Sequence, residues 1–66
     1  MRLIHRTQDG REYTVSNLSE AEVRARMKEW AQVWQSSPIM GVVRFADAVV
    51  RSESVIAVVA PDMPRQ

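Results

Sequence analysis

His5 is the chain's single histidine and the first residue to weigh for acid–base or metal chemistry. Proton transfer by an imidazole needs a carboxylate to orient it or a nucleophile to serve, and a metal site needs further ligands at suitable spacing. The sequence supplies neither. There is no cysteine, and a hairpin pairing through the residues that follow sets His5 opposite Thr14, with only Glu12 on the same face. The expectation is an exposed strand histidine without a catalytic or metal role. Ser52-Glu53-Ser54 puts two hydroxyls beside a carboxylate, but no glycine elbow, lysine or second histidine accompanies them. These residues read as a turn whose side chains bond nearby backbone and aim the strand that follows. Asp9-Gly10 lacks the further glycines and lysine of a phosphate loop and the ladder of oxygens of a calcium loop. No catalytic residue, metal ligand or cofactor is therefore expected, and the chain reads as a non-enzyme.

Binding chemistry is better represented. Arg6, Arg11, Arg44 and Arg51 all fall on expected strands, where planar guanidinium groups suit phosphates and carboxylates. A nucleic-acid surface would add aromatic side chains for stacking bases, but Tyr13 and Phe45 are the only aromatics outside the helix and both are expected to be buried. Nine basic and eight acidic residues leave a net charge of +1. Such a balance gives no long-range field toward nucleic acid or an anionic membrane. Nucleic-acid binding through the strand arginines is thus an alternative that net charge does not support. A nucleotide-like anion held by arginines at a subunit interface is a second. Trp30 and Trp34, with Met27, would make a stacking platform only if they were exposed. They share a helix face with Val23, so a core role is expected instead.

The elements that must position these residues separate into three segments of one 66-residue domain. Residues 2–16 read as a β-hairpin closed by a two-residue turn at Asp9-Gly10. This pairing sets Arg6 opposite Tyr13 and Ile4 opposite Val15, giving a core face of Ile4, Tyr13 and Val15 and a polar face carrying Leu3, His5, Thr7, Glu12, Thr14 and Ser16. Residues 19–36 read as a helix. Ser19 and Glu22 form a capping box, Leu18 and Val23 sit where a hydrophobic staple belongs, and Pro38 ends the helix. Residues 41–60 are strand-rich, with strands at 41–45, 48–51 and 55–60, and residues 61–66 form a proline-bounded tail. The order ββαβββ predicts an α+β fold, an antiparallel sheet with one amphipathic helix across one face. The second half is left the alternative of curling into a small barrel.

The last segment makes a demand on partners. Alternation along the strands turns Val43, Phe45, Val50, Ile56 and Val58 toward the helix, and Val42, Val49, Val55, Ala57 and Val59 the other way. Strands apolar on both faces belong between two layers, yet there is no second helix. A domain of this size buries only about 60% of its unfolded surface and nets about 3–5 kcal/mol. The expectation is a homo-oligomer assembled through Val42, Val49, Val55, Ala57 and Val59. The polar hairpin face would be left for a protein partner, so the chain reads as a small regulatory or interaction module. The absence of cysteine fits a reducing compartment. The longest apolar run, residues 55–60, is far too short to cross a bilayer. A cytoplasmic protein with no membrane role is expected.

Overall fold

The computed structural model describes residues 1–64. Its elements follow the expected order: β1 (Leu3–Thr7), β2 (Glu12–Val15), α1 (Glu20–Gln35), β3 (Val42–Arg44), β4 (Val49–Arg51), a 3₁₀ turn (Ser52–Ser54) and β5 (Val55–Val59). Every strand pairing is antiparallel. Three strands form one sheet in the order β2-β1-β5, and β3 and β4 form a separate two-stranded sheet. Among the described residues no barrel closes.

The helix begins as its sequence dictates. The Glu22 N–H donates to Ser19 Oγ at 3.1 Å and the Ser19 N–H donates back to Glu22 Oε1 at 3.2 Å, so each residue satisfies a backbone donor of the other. Asn17, at φ 61°, turns the chain off β2; asparagine is one of the few residues that adopts this conformation readily. The turn delivers Leu18 into the core beside Leu3 and Val23. At the far end the Ser36 N–H donates to the Val33 carbonyl at 3.1 Å and the helix stops.

The hairpin β1–β2 departs from the expected pairing by one residue. Its partners are His5–Tyr13, Ile4–Thr14, Leu3–Val15 and Arg6–Glu12. The cause is the turn. The Gly10 N–H donates to the Thr7 carbonyl at 3.1 Å and the Thr7 N–H to the Arg11 carbonyl at 3.0 Å, so the loop is Gln8-Asp9-Gly10 rather than Asp9-Gly10 alone. Gly10 sits at φ +85°, the left-handed position that ends a three-residue loop of this kind. The Thr7 hydroxyl donates to the Asp9 carboxylate and helps fix the loop. A strand has a period of two, so a slip of one residue exchanges its faces. Leu3, His5 and Thr7 therefore point into the core, and Ile4 and Arg6 point out.

A second irregularity reorients β5. Ala57 opposes Arg6 but Val55 opposes Thr7, which leaves Ile56 as the extra residue of a bulge. Val55 turns inward and is 2% exposed, whereas Ile56, expected to face the helix, is 62% exposed. The helix stripe is also narrower than expected: Val23 and Trp30 are buried, but Met27 and Trp34 stay more than a third exposed. Trp34 lies at the sheet margin, where its Nε1–H donates to the Val55 carbonyl at 3.2 Å. A ring with one polar end commonly sits this way, half packed and half wet.

The chain after β5 is tied down. Arg2 donates to the Asp62 carboxylate from its backbone N–H, Nε and Nη2 at 2.9, 3.1 and 3.0 Å. That bidentate grip holds Asp62 at about 2, well below the usual carboxylate range. Met63 packs against the Leu3–Leu18–Val23 core. The last two residues of the expected 61–66 tail lie outside the described residues.

Candidate functional site

The second layer over the inner face of the three-stranded sheet has two parts, α1 and the β3–β4 hairpin, and His5 lies where they meet. Its ring packs edge-on against Trp30 at 5.8 Å and Phe45 at 4.8 Å, and Phe45 in turn stacks on Tyr13 at 4.9 Å. The residue is 2% exposed, not the open strand histidine that the sequence suggested, because the hairpin slip carried it inward. Nδ1 lies 3.1 Å from the Tyr13 carbonyl oxygen. A carbonyl only accepts, so Nδ1 carries the proton and a neutral ring leaves Nε2 as an acceptor. Burial pushes the imidazole below its ordinary pKa; the hydrogen bond to Tyr13 opposes that shift, and the nearby Arg26 charge adds to it.

A cleft of about 360 Å³ opens beside this ring, between α1 and the free edge of β3. His5 and Ser52 reach it from within, Trp30 and Val43 form apolar wall, and Arg26 and Arg44 stand at its rim. Glu29 lines it as well. Ser52 is 6% exposed. Among the described residues neither Nε2 of His5 nor Oγ of Ser52 makes a hydrogen bond, yet no fully buried side-chain N or O there lacks a partner. Both atoms therefore keep contact with the cleft. His5 and Ser52 share this space without a hydrogen bond between them, and a backbone carbonyl rather than a carboxylate orients the imidazole. That is a polar-floored pocket, not an assembled nucleophile–base pair.

The β3 edge adds backbone to the same wall. Val43 pairs with Val50, Phe45 bonds Ala48 at 2.7 Å and Ser52 bonds Gly41 at 3.1 Å. Alternate residues of an antiparallel strand bond its partner, so the N–H and C=O groups of Val42 and Arg44 point away from β4, toward the cleft.

The four strand arginines are not brought together. Arg6 pairs with Glu12 at 2.8 Å, Arg11 with Asp9 at 3.4 Å and Arg51 with Glu53 at 3.4 Å. Arg44 alone of the four makes no ion pair among the described residues, and it alone lines the cleft. Arg26, Trp30 and Ser52 join His5 there although the sequence reading gave them no binding role. Arg26 precedes Trp30 by four residues, a spacing that sets both on neighbouring strips of the helix. That signal was available; the contribution of Ser52 depends on the tertiary fold.

The five residues expected to share one outer face also separate. Val42 and Val49 are 58% and 65% exposed on the side of the β3–β4 hairpin turned away from the sheet. Ala57 and Val59 lie on the opposite face of the three-stranded sheet, together with Ile4, which pairs with Val59. Val55 belongs to the core. What remains along β5 is an outer apolar strip of Ile4, Ile56, Ala57 and Val59. No helix among the described residues is long and apolar enough to cross a membrane, and no group of three potential metal ligands forms.

Comparison with known proteins gives no match: no family model, no curated protein and no solved structure resembles the chain closely enough to be counted.

Proposed function

We propose that the chain is a non-enzymatic interaction module that works as a homo-oligomer, joined along β5. The observation that carries this reading is that β5 is an edge strand of the order β2-β1-β5 and still exposes Ile56 and Val59. Its sequence, Val-Ile-Ala-Val-Val, has no charge and no proline, two of the devices that blunt solitary edges; the bulge at Ile56 and the Trp34 bond to the Val55 carbonyl modify only its first two residues. An uncharged strand repels no copy of itself, and antiparallel pairing of two β5 strands about a twofold axis would continue the sheet across both protomers. Surface area agrees. The chain exposes 4939 Å², about 700 Å² more than a monomer of 7.5 kDa is expected to show. A standard interface covers about 800 Å² on each partner.

Nucleic-acid binding is the weaker reading, because three of the four strand arginines already face a carboxylate within 3.4 Å. Size-exclusion chromatography with light scattering tests the proposal. Wild type is expected to run as an oligomer and Ile56→Lys with Val59→Lys as a folded monomer, since both side chains already meet water within the protomer. A monomeric wild type at high micromolar concentration refutes it.

A further inference from the structure

We propose that the cleft between α1 and the free edge of β3 binds a small aromatic carboxylate that carries an N–H or O–H donor at the end opposite its carboxylate. The cleft sorts its chemistry by depth. At the floor, His5 Nε2 is an acceptor without a partner in a residue 2% exposed, and Ser52 Oγ is a second unpartnered polar atom in a residue 6% exposed. Both atoms open onto the cleft and are met there by solvent, so a ligand that brings a donor to Nε2 replaces a water rather than leaving the acceptor unmatched. The wall is apolar and includes the Trp30 ring, suited to a flat body. Arg26 and Arg44 both line the cleft, with Glu29 as the single opposing charge. That set nets one positive charge, which fits a monoanion better than a dianion. The N–H groups of Val42 and Arg44 on the free strand edge supply further donors to a carboxylate, at no cost in strand pairing.

The volume agrees with the assignment. About 360 Å³ lies at the small end of the range of 300–1,000 Å³ usual for small-molecule sites. It admits one ring with its substituents. The inference stands apart from the oligomer reading, because every lining residue comes from one chain and none lies on the outer strip of β5.

Trp30 and Trp34 are the only tryptophans, so intrinsic fluorescence reports binding at the cleft wall. The probe is 4-hydroxyphenylacetate, compared with phenylacetate, which lacks the donor, and with 4-hydroxyphenylethanol, which lacks the carboxylate. Saturable binding of the first is expected, with each comparator weaker by roughly tenfold, the worth of one charge-assisted or buried hydrogen bond. Arg44→Gln should weaken the probe by a similar factor while leaving the thermal midpoint unchanged, because Arg44 is exposed and makes no ion pair among the described residues. Absence of saturable binding into the millimolar range overturns the proposal. Equal binding of the three compounds, or an Arg44→Gln variant that binds as wild type does, overturns it too.

Discussion

β1 and β5 lie side by side in one sheet, and the more polar of the two is the better buried. β1 turns Leu3, His5 and Thr7 inward, all at 5% exposure or less, although two of the three are polar. β5 is apolar throughout, yet only Val55 is buried, while Ile56 stands open to water. Position in the sheet order explains the inversion. β1 is the central strand, with a partner on each edge and a second layer above it. β5 has a neighbour on one edge only. The polar groups of β1 tolerate burial because they are bonded: His5 through Nδ1 to the Tyr13 carbonyl, and Thr7 to the Asp9 carboxylate and to the Arg11 carbonyl at 3.2 Å. Hydropathy therefore misjudges both strands, in opposite directions.

The sharpest way to break the inner side of this comparison is to remove what covers β1. Trp30 packs on the His5 ring and is 8% exposed. Trp30→Ala should cost about 3–5 kcal/mol, comparable to the whole stability of a domain this small, and leave the chain largely unfolded at room temperature. Circular dichroism during a thermal scan reads the outcome; a midpoint near that of wild type would show that β1 owes its burial to something else.

A smaller effect is expected at His5 itself. His5→Gln removes two aromatic contacts and the bond to Tyr13, and should cost about 1–3 kcal/mol. The variant also tests the protonation state. The folded pKa of His5 lies below its ordinary value of 6.5, so the folded state favours the neutral ring. The contribution is complete above the unfolded pKa and is lost as pH falls below 6.5 toward the folded value. Urea midpoints of wild type should decline over that window, and those of His5→Gln should not. Parallel pH curves for the two proteins would place the pH sensitivity elsewhere.

How much of this was legible in sequence divides along the same line. The helix was legible from Ser19 to Ser36, because a capping box, a staple and a proline are local signals that act through local bonds. The positions of the strands were legible as well. Their faces were not. Asp9-Gly10 is compatible with loops of two and of three residues, and that single difference decides whether Leu3, His5 and Thr7 or Ile4 and Arg6 enter the core. The bulge at Ile56 has no local signature, since any residue of an apolar strand can be the unpaired one, and it carried Val55 inward. The cleft combines residues from β1, α1, β3 and the Ser52–Ser54 turn, so it became visible only when the chain was folded. One of its two cations was the exception: Arg44 was singled out from its strand, although for company it does not keep, whereas Arg26 was not.

The smallest effect is expected where charge is exposed. Asp62, gripped by Arg2, is depressed to about 2, so the stability it lends is present above its unfolded pKa near 3.8 and is lost as pH falls from there through 2. Both partners are solvated, which screens the pair. Asp62→Asn should leave the melting midpoint at pH 7 almost unchanged and flatten its decline between pH 4 and 2. A large loss at neutral pH would mean that the Arg2–Asp62 clasp, rather than the core, secures the end of β5.

The outer side of the comparison turns on one backbone group. Ile4 and Arg6 bond β5 through Val59 and Ala57, so the Val58 N–H and C=O point away from β1, onto the free edge. If two β5 strands pair across a twofold axis, the Val58 amide is hydrogen-bonded in the assembly and open in an isolated protomer. Amide hydrogen exchange at Val58, followed by NMR over a hundredfold range of protein concentration, measures this directly. Protection should rise with concentration and disappear in Ile56→Lys with Val59→Lys. Exchange at Val58 that stays fast and independent of concentration, in a chain that is otherwise folded, would contradict it.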